Sequence, residues 1–163
     1  MKTIIVYYSF DGNTEFLVNA LAETIGAETL ALEPIKKQKS KGFSKYVWGG
    51  YQAVMKKKPD LKPYNFKASD YDRIIIASPV WAGTFAPPLR TFFETEDLIA
   101  KKVAFFFTHE GGKGKTKEQF EEILADNHIL GSLDLTTRKT DKEENKKRLI
   151  QWFLQLESEK DMM

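Results

Sequence analysis

Cysteine is absent from this 163-residue chain. That excludes disulfides, a thiolate nucleophile and cysteine-ligated iron–sulfur clusters. Any redox chemistry therefore has to come from a bound cofactor. Histidine is nearly absent as well, with only His109 and His128, too few for a histidine-rich metal site, so no metal ligand is assigned. No apolar run approaches the roughly 20 residues of a membrane helix. Met1-Lys2-Thr3 leads directly into a strand-like segment, so no secretory signal is expected. The expectation is a cytoplasmic protein with no membrane partner. An excess of one charge is also missing: 25 Lys and Arg face 23 Asp and Glu, for a net charge of +2. Such a balance does not call for nucleic acid.

What is present is alternation. Lys2–Tyr8 (KTIIVYY) is almost continuously apolar and β-branched, as suits a strand covered on both faces. Arg73–Ser78 (RIIIAS) and Val103–Thr108 (VAFFFT) read the same way, Glu28–Glu33 as a more exposed strand, and Ser132–Arg138 as the last. Between them fall helical stripes: Phe16–Ile25 ended by Gly26, Pro87–Glu94 opened by two prolines, Lys115–Leu124, and Lys142–Leu156. The connection from Pro34 to Ser69 is long, with a short helix expected near Ser44–Lys56 between basic loops. With no repeat in view, one α/β domain over residues 1–163 is expected. Its core is a doubly wound, five-stranded parallel sheet with right-handed crossovers and strand order 2-1-3-4-5.

Ligands of such sheets bind beyond the carboxyl ends of the strands, where the winding reverses. Three loops fall there. After the first strand come Ser9, Phe10, Asp11, Gly12, Asn13 and Thr14. Their small polar side chains and glycine let backbone N–H groups close around a phosphate at a helix N-terminus. An ordinary capped turn would use the same residues. After the third strand come Pro79, Val80, Trp81, Ala82 and Gly83, where the indole offers a flat apolar ligand a stacking surface. The competing reading packs Trp81 against the long connection. After the fourth strand come Thr108, His109, Glu110, Gly111 and Gly112, whose glycines suit a backbone lying along a ligand edge. A surface loop would also be glycine-rich.

Taken together, the three loops resemble the flavin mononucleotide (FMN) site of the flavodoxin family. Ser9, Gly12, Asn13 and Thr14 match that family's phosphate loop. Ser78-Pro79-x-Trp81 matches its second flavin loop, and the segment from Thr108 onward its third, which meets the pyrimidine end of the flavin. The resemblance implies FMN as cofactor and, most directly, a low-potential electron carrier with a redox partner protein or small electron acceptor. It implies no catalytic acid, base or nucleophile, and a monomer or weak homodimer. An NAD(P)H-dependent FMN or quinone reductase is the alternative, disfavoured because no G-x-G-x-x-G follows a strand. A non-redox binding module is more remote.

Several residues depart from the family pattern. Position 11, usually threonine, is Asp11, expected to turn its carboxylate away from a phosphate. The third loop lacks the tyrosine that often covers the second ring face, leaving His109 or Trp48 to substitute, or that face open. The near-neutral charge is unlike the acidic surface of typical carriers. The segment FSKYVWGGYQAVMKKKPDLKPY resembles an insertion of a bacterial flavodoxin-like subgroup. Gly114-Lys115-Thr116 imitates a P-loop, but His109 stands where the pattern requires its first glycine.

Overall fold

The computed structural model describes residues 1–36, 58–137 and 142–162. The helix expected near Ser44–Lys56, and Trp48 with it, lie outside those residues. Six strands form one sheet: β1 (Thr3–Tyr7), β2 (Glu28–Ala31), β3 (Arg73–Trp81), β4 (Thr84–Phe85), β5 (Lys102–His109) and β6 (His128–Thr136). The order is β2-β1-β3-β5-β6, with parallel pairing throughout that path. Counting the five parallel strands along the chain, this is the expected 2-1-3-4-5. The short β4 is an addition, pairing antiparallel with the end of β3.

Helices α1 (Asn13–Ile25), α2 (Pro87–Thr95), α3 (Thr116–Ile123) and α4 (Lys142–Asp161) cover the sheet. Strand side chains alternate between its faces. Ile4, Val6, Ile74, Ile76, Phe105 and Phe107 pack with Leu89 and Phe92 of α2 and Phe120 of α3. Ile5, Tyr7, Ile75, Ala77 and Phe106 pack with Leu17 and Leu21 of α1 and Leu149 and Phe153 of α4. Burial on both faces is why these strands read as unbroken apolar runs. β2, at the sheet edge, is mostly exposed and correspondingly polar.

Two strand boundaries differ from expectation for identifiable reasons. β3 continues past Ser78 through Pro79 to Trp81. A proline is tolerated there because its missing N–H would face β1, like that of Ala77, and β1 pairing ends at Ala77. β6 begins at His128, four positions before Ser132, and carries one extra residue, Leu130, where β5 steps from Val103 to Ala104. Beneath the opposite end of the sheet, Arg73 is buried, pairs with Glu157 and lies 4.5 Å over the Phe153 ring. No helix among the described residues is long and apolar enough to cross a membrane.

Candidate functional site

The winding reverses between β1 and β3. There an open cleft of about 260 Å³ lies between the first, second and third loops. Phe10, Asp11 and Asn13 line it from the first loop, Pro79 to Ala82 from the second, and Thr108 to Gly112 from the third. Ser9, Gly12, Thr14 and Gly83 stand behind the lining and hold the loops in place.

The first loop is shaped by Gly12, whose φ of 93° no other residue adopts without strain, and which caps α1. The first N–H groups of a helix have no intrahelical partner. Here Ser9 Oγ accepts from Glu15 N–H at 3.1 Å and Asp11 Oδ1 from Asn13 N–H at 3.3 Å. The Asp11 carboxylate thus folds back over the helix end, where an outward side chain was expected, while the residue stays exposed at the cleft. Thr14 is buried, and its Oγ1 shares a 2.9 Å hydrogen bond with Thr108 Oγ1. The first loop is thereby tied to the third across the sheet.

The second loop is a hairpin. Trp81 pairs with Thr84, leaving Ala82 (φ 51°) and Gly83 (φ 74°) as its two central residues, the pattern of a type I′ turn. Ser78, fully buried, donates to the Pro79 carbonyl at 2.8 Å and accepts from Ala86 N–H at 2.9 Å. Its hydroxyl therefore stitches the hairpin together. Trp81 is held at near right angles to two rings, Tyr8 and Phe10, each 5.6 Å away between centroids. Burial, reinforced by the nearby Asp11 charge, pushes the Tyr8 phenol up and keeps it protonated.

The third loop is fixed at both ends. Thr137 N–H donates to the His109 carbonyl at 2.8 Å, and Lys115 N–H to the Gly83 carbonyl at 3.1 Å. Gly114, at φ 53°, presses so closely on Gly83 that a Cβ there would lie 2.4 Å from the Gly83 Cα. Gly111 and Gly112 show neither a left-handed φ nor any neighbour within 4 Å of an added Cβ. The fold itself therefore does not require glycine at those two positions.

His109 Nε2 lies 3.0 Å from Asp134 Oδ2, while Lys113 Nζ lies 3.6 Å from Asp134 Oδ1. Burial would raise the Asp134 carboxyl, but the His109 hydrogen bond and the Lys113 charge outweigh it and hold the group below its ordinary value. His109 is nine-tenths buried, and its Nδ1 has no hydrogen-bond partner among the described residues. Asp134 and Thr137 were not singled out from the sequence. The cue for both was adjacency, since β6 runs beside the strand that carries the third loop.

An open, doubly wound parallel sheet with a cleft at its switch point defines a flavodoxin-like α/β protein. A family model described as a flavodoxin domain matches residues 51–152. Among solved structures, a flavoprotein of Lactobacillus acidophilus NCFM, solved in complex with FMN, is 26% identical. That alignment covers 89% of this chain and 97% of the other, with a TM-score of 0.71. A Bacteroides uniformis protein described as a flavoprotein gives 0.75 at 21% identity, over 93% and 97% of the two chains. The two-electron reduced flavodoxin of Megasphaera elsdenii gives 0.57 at 18% identity, over 90% and 94%. The last two likenesses concern the fold alone. No curated protein matches. The chain belongs to the flavodoxin-domain family.

Proposed function

We propose that this chain binds one FMN in the cleft and works as an electron carrier for a redox partner protein or small acceptor. The observation that carries the reading is convergence: three loops distant in sequence line a single cleft at the switch point. Their chemistry fits the parts of FMN in order. The α1 N-terminus, with Gly12 shaping it, suits a terminal phosphate. Trp81 and Phe10 offer aromatic surface to a flat ring. His109 Nδ1, buried without a partner, marks unmet hydrogen-bonding capacity beside the third loop.

When bound, FMN supplies the chemistry, a reversible uptake of electrons at its ring system. The chain's residues bind, orient and tune. Gly12, Asn13 and Thr14 would present the helix end to the phosphate, with Asn13 N–H exchanging its long bond to Asp11 for a stronger anion. Trp81, set by Tyr8 and Phe10, would fix the ring plane. Gly111 and Gly112, free of crowding by the protein, would let the third loop lie against the ring's polar edge. A cleft of about 260 Å³ is smaller than the roughly 300–1,000 Å³ of pockets that engulf a ligand. One edge of the cofactor would stay open to solvent, as transfer to an outside partner needs.

The deciding experiment is a titration of the purified protein with FMN, followed by absorbance and fluorescence, and then with NADH and NADPH. One FMN per chain, without turnover of either nicotinamide, is expected. No spectral change at micromolar FMN overturns the reading. Catalytic oxidation of NADH or NADPH replaces the carrier with a reductase.

A further inference from the structure

Asp134 is not in the cleft lining, yet it contacts both ends of the loop that is. It lies on β6 opposite Phe107. Its two carboxylate oxygens reach the two ends of the third loop, Oδ2 to His109 Nε2 at 3.0 Å and Oδ1 toward Lys113 Nζ at 3.6 Å. Between those ends, Gly111 and Gly112 face the cleft with no packing of their own. One carboxylate thus closes the loop into a ring. A carboxylate accepts, so His109 Nε2 is the donor in this contact. Among the described residues at this end of the cleft, Glu110 lies in the lining, Asp134 stands behind the loop, and Lys113 faces Asp134.

We propose that Asp134 and Lys113 act as an opposed pair of positioning residues, holding the third loop closed and setting from behind it the charge that a reduced cofactor meets. The proposal rests on the reading of the cleft as an FMN site. Reduction adds electrons to the bound ring, so negative charge behind the loop disfavours the reduced form and positive charge favours it. Removing either member therefore moves the redox equilibrium in opposite directions. A purely structural pair would loosen the loop in the same way whichever member was lost.

The test uses the full chain loaded with FMN, and compares wild type with Asp134→Asn and Lys113→Met at low ionic strength. Lys113 is half exposed, so its replacement leaves the core intact and provides a second variant if Asp134→Asn folds poorly. Midpoint potentials are read against reference dyes, and melting temperatures confirm folding. For Asp134→Asn we expect the ratio of reduced to oxidised FMN affinity to rise severalfold, up to tenfold, where tenfold is about 30 mV for two electrons. For Lys113→Met the ratio should fall by a similar factor. Potentials that do not move, or that move in the same direction in both variants, overturn the proposal while leaving FMN binding intact. Failure of the wild-type protein to take up FMN overturns the cofactor reading and this proposal with it.

Discussion

Thr14 and Thr108 share a hydrogen bond between their hydroxyls, Oγ1 to Oγ1 at 2.9 Å, both side chains buried. One hydroxyl must spend its proton on the other, and the accepting hydroxyl keeps a proton to give elsewhere. Thr14→Val leaves Thr108 with an unmatched buried hydroxyl, at a cost of about 1–3 kcal/mol. FMN affinity should fall about tenfold, with riboflavin, which lacks the phosphate, losing less. The double variant with Thr108→Val should be no less stable than Thr14→Val alone, because both partners are then apolar. Additive losses in a double-mutant cycle would show that the two hydroxyls act independently.

The Gly83–Gly114 contact separates two kinds of glycine. Gly114→Ala combines a left-handed φ with a Cβ driven into the Gly83 backbone, and should lower stability by about 2 kcal/mol or more. At about 2–4 °C per kcal/mol for a chain of this size, thermal melting resolves that readily. Gly111→Ala meets nothing, so its melting temperature should be unchanged while FMN affinity falls. A Gly111→Ala protein that binds FMN normally would remove that glycine from the site.

Ala82 carries a left-handed φ of 51° at the first central position of its hairpin. Asparagine is favoured there when glycine follows, and Gly83 does. Ala82→Asn should therefore stabilise the protein by roughly 0.5–1 kcal/mol, seen as a higher denaturant midpoint at unchanged slope. A lower midpoint would mean that the Ala82 methyl makes a contact worth more than the relieved strain.

Trp81 should stack on the flavin and quench it. Trp81→Ala is expected to brighten bound FMN and weaken binding by about 1–2 kcal/mol. Tyr8 and Phe10 also lose the ring they pack against, so a modest drop in stability should accompany the change. Unaltered quenching in a folded variant would assign the stacking to another residue.

Acid should weaken the third loop. The Asp134 carboxyl sits below its ordinary value of 3.8, because His109 and Lys113 outweigh the effect of burial. A group depressed in the folded state stabilises it at pH above the unfolded value, and that contribution disappears as pH falls through the folded value. Between about pH 5 and pH 2 the wild-type melting temperature should therefore drop more steeply than that of Asp134→Asn. Parallel pH profiles would show that the Asp134 contacts do not contribute to stability.

The parallel strands and the three loops were legible in the sequence because their signals are local. RIIIAS and VAFFFT announce doubly covered strands, and Trp81 stands out as an indole just past the apolar run RIIIAS. What stayed hidden depends on partners far along the chain. Pro79 argues against a strand until β1 is seen to end beside it. Nothing local tells that Ala82 adopts a glycine-like conformation, or that Gly83 and Gly114 touch. Asp134 reads as one polar residue in an edge strand, and only the register of β5 against β6 brings it to His109.

The backbone weld between Gly83 and Gly114 also bears on how this scaffold can diversify. Because the two loops touch without side chains between them, neither can be lengthened near that point without prising the other away. Insertions or grafted sequences aimed at new ligands are better placed at Glu110 to Gly112, between the anchored ends of the third loop. Lengthening that span leaves the hairpin seated, and the cleft can change its rim without losing its floor.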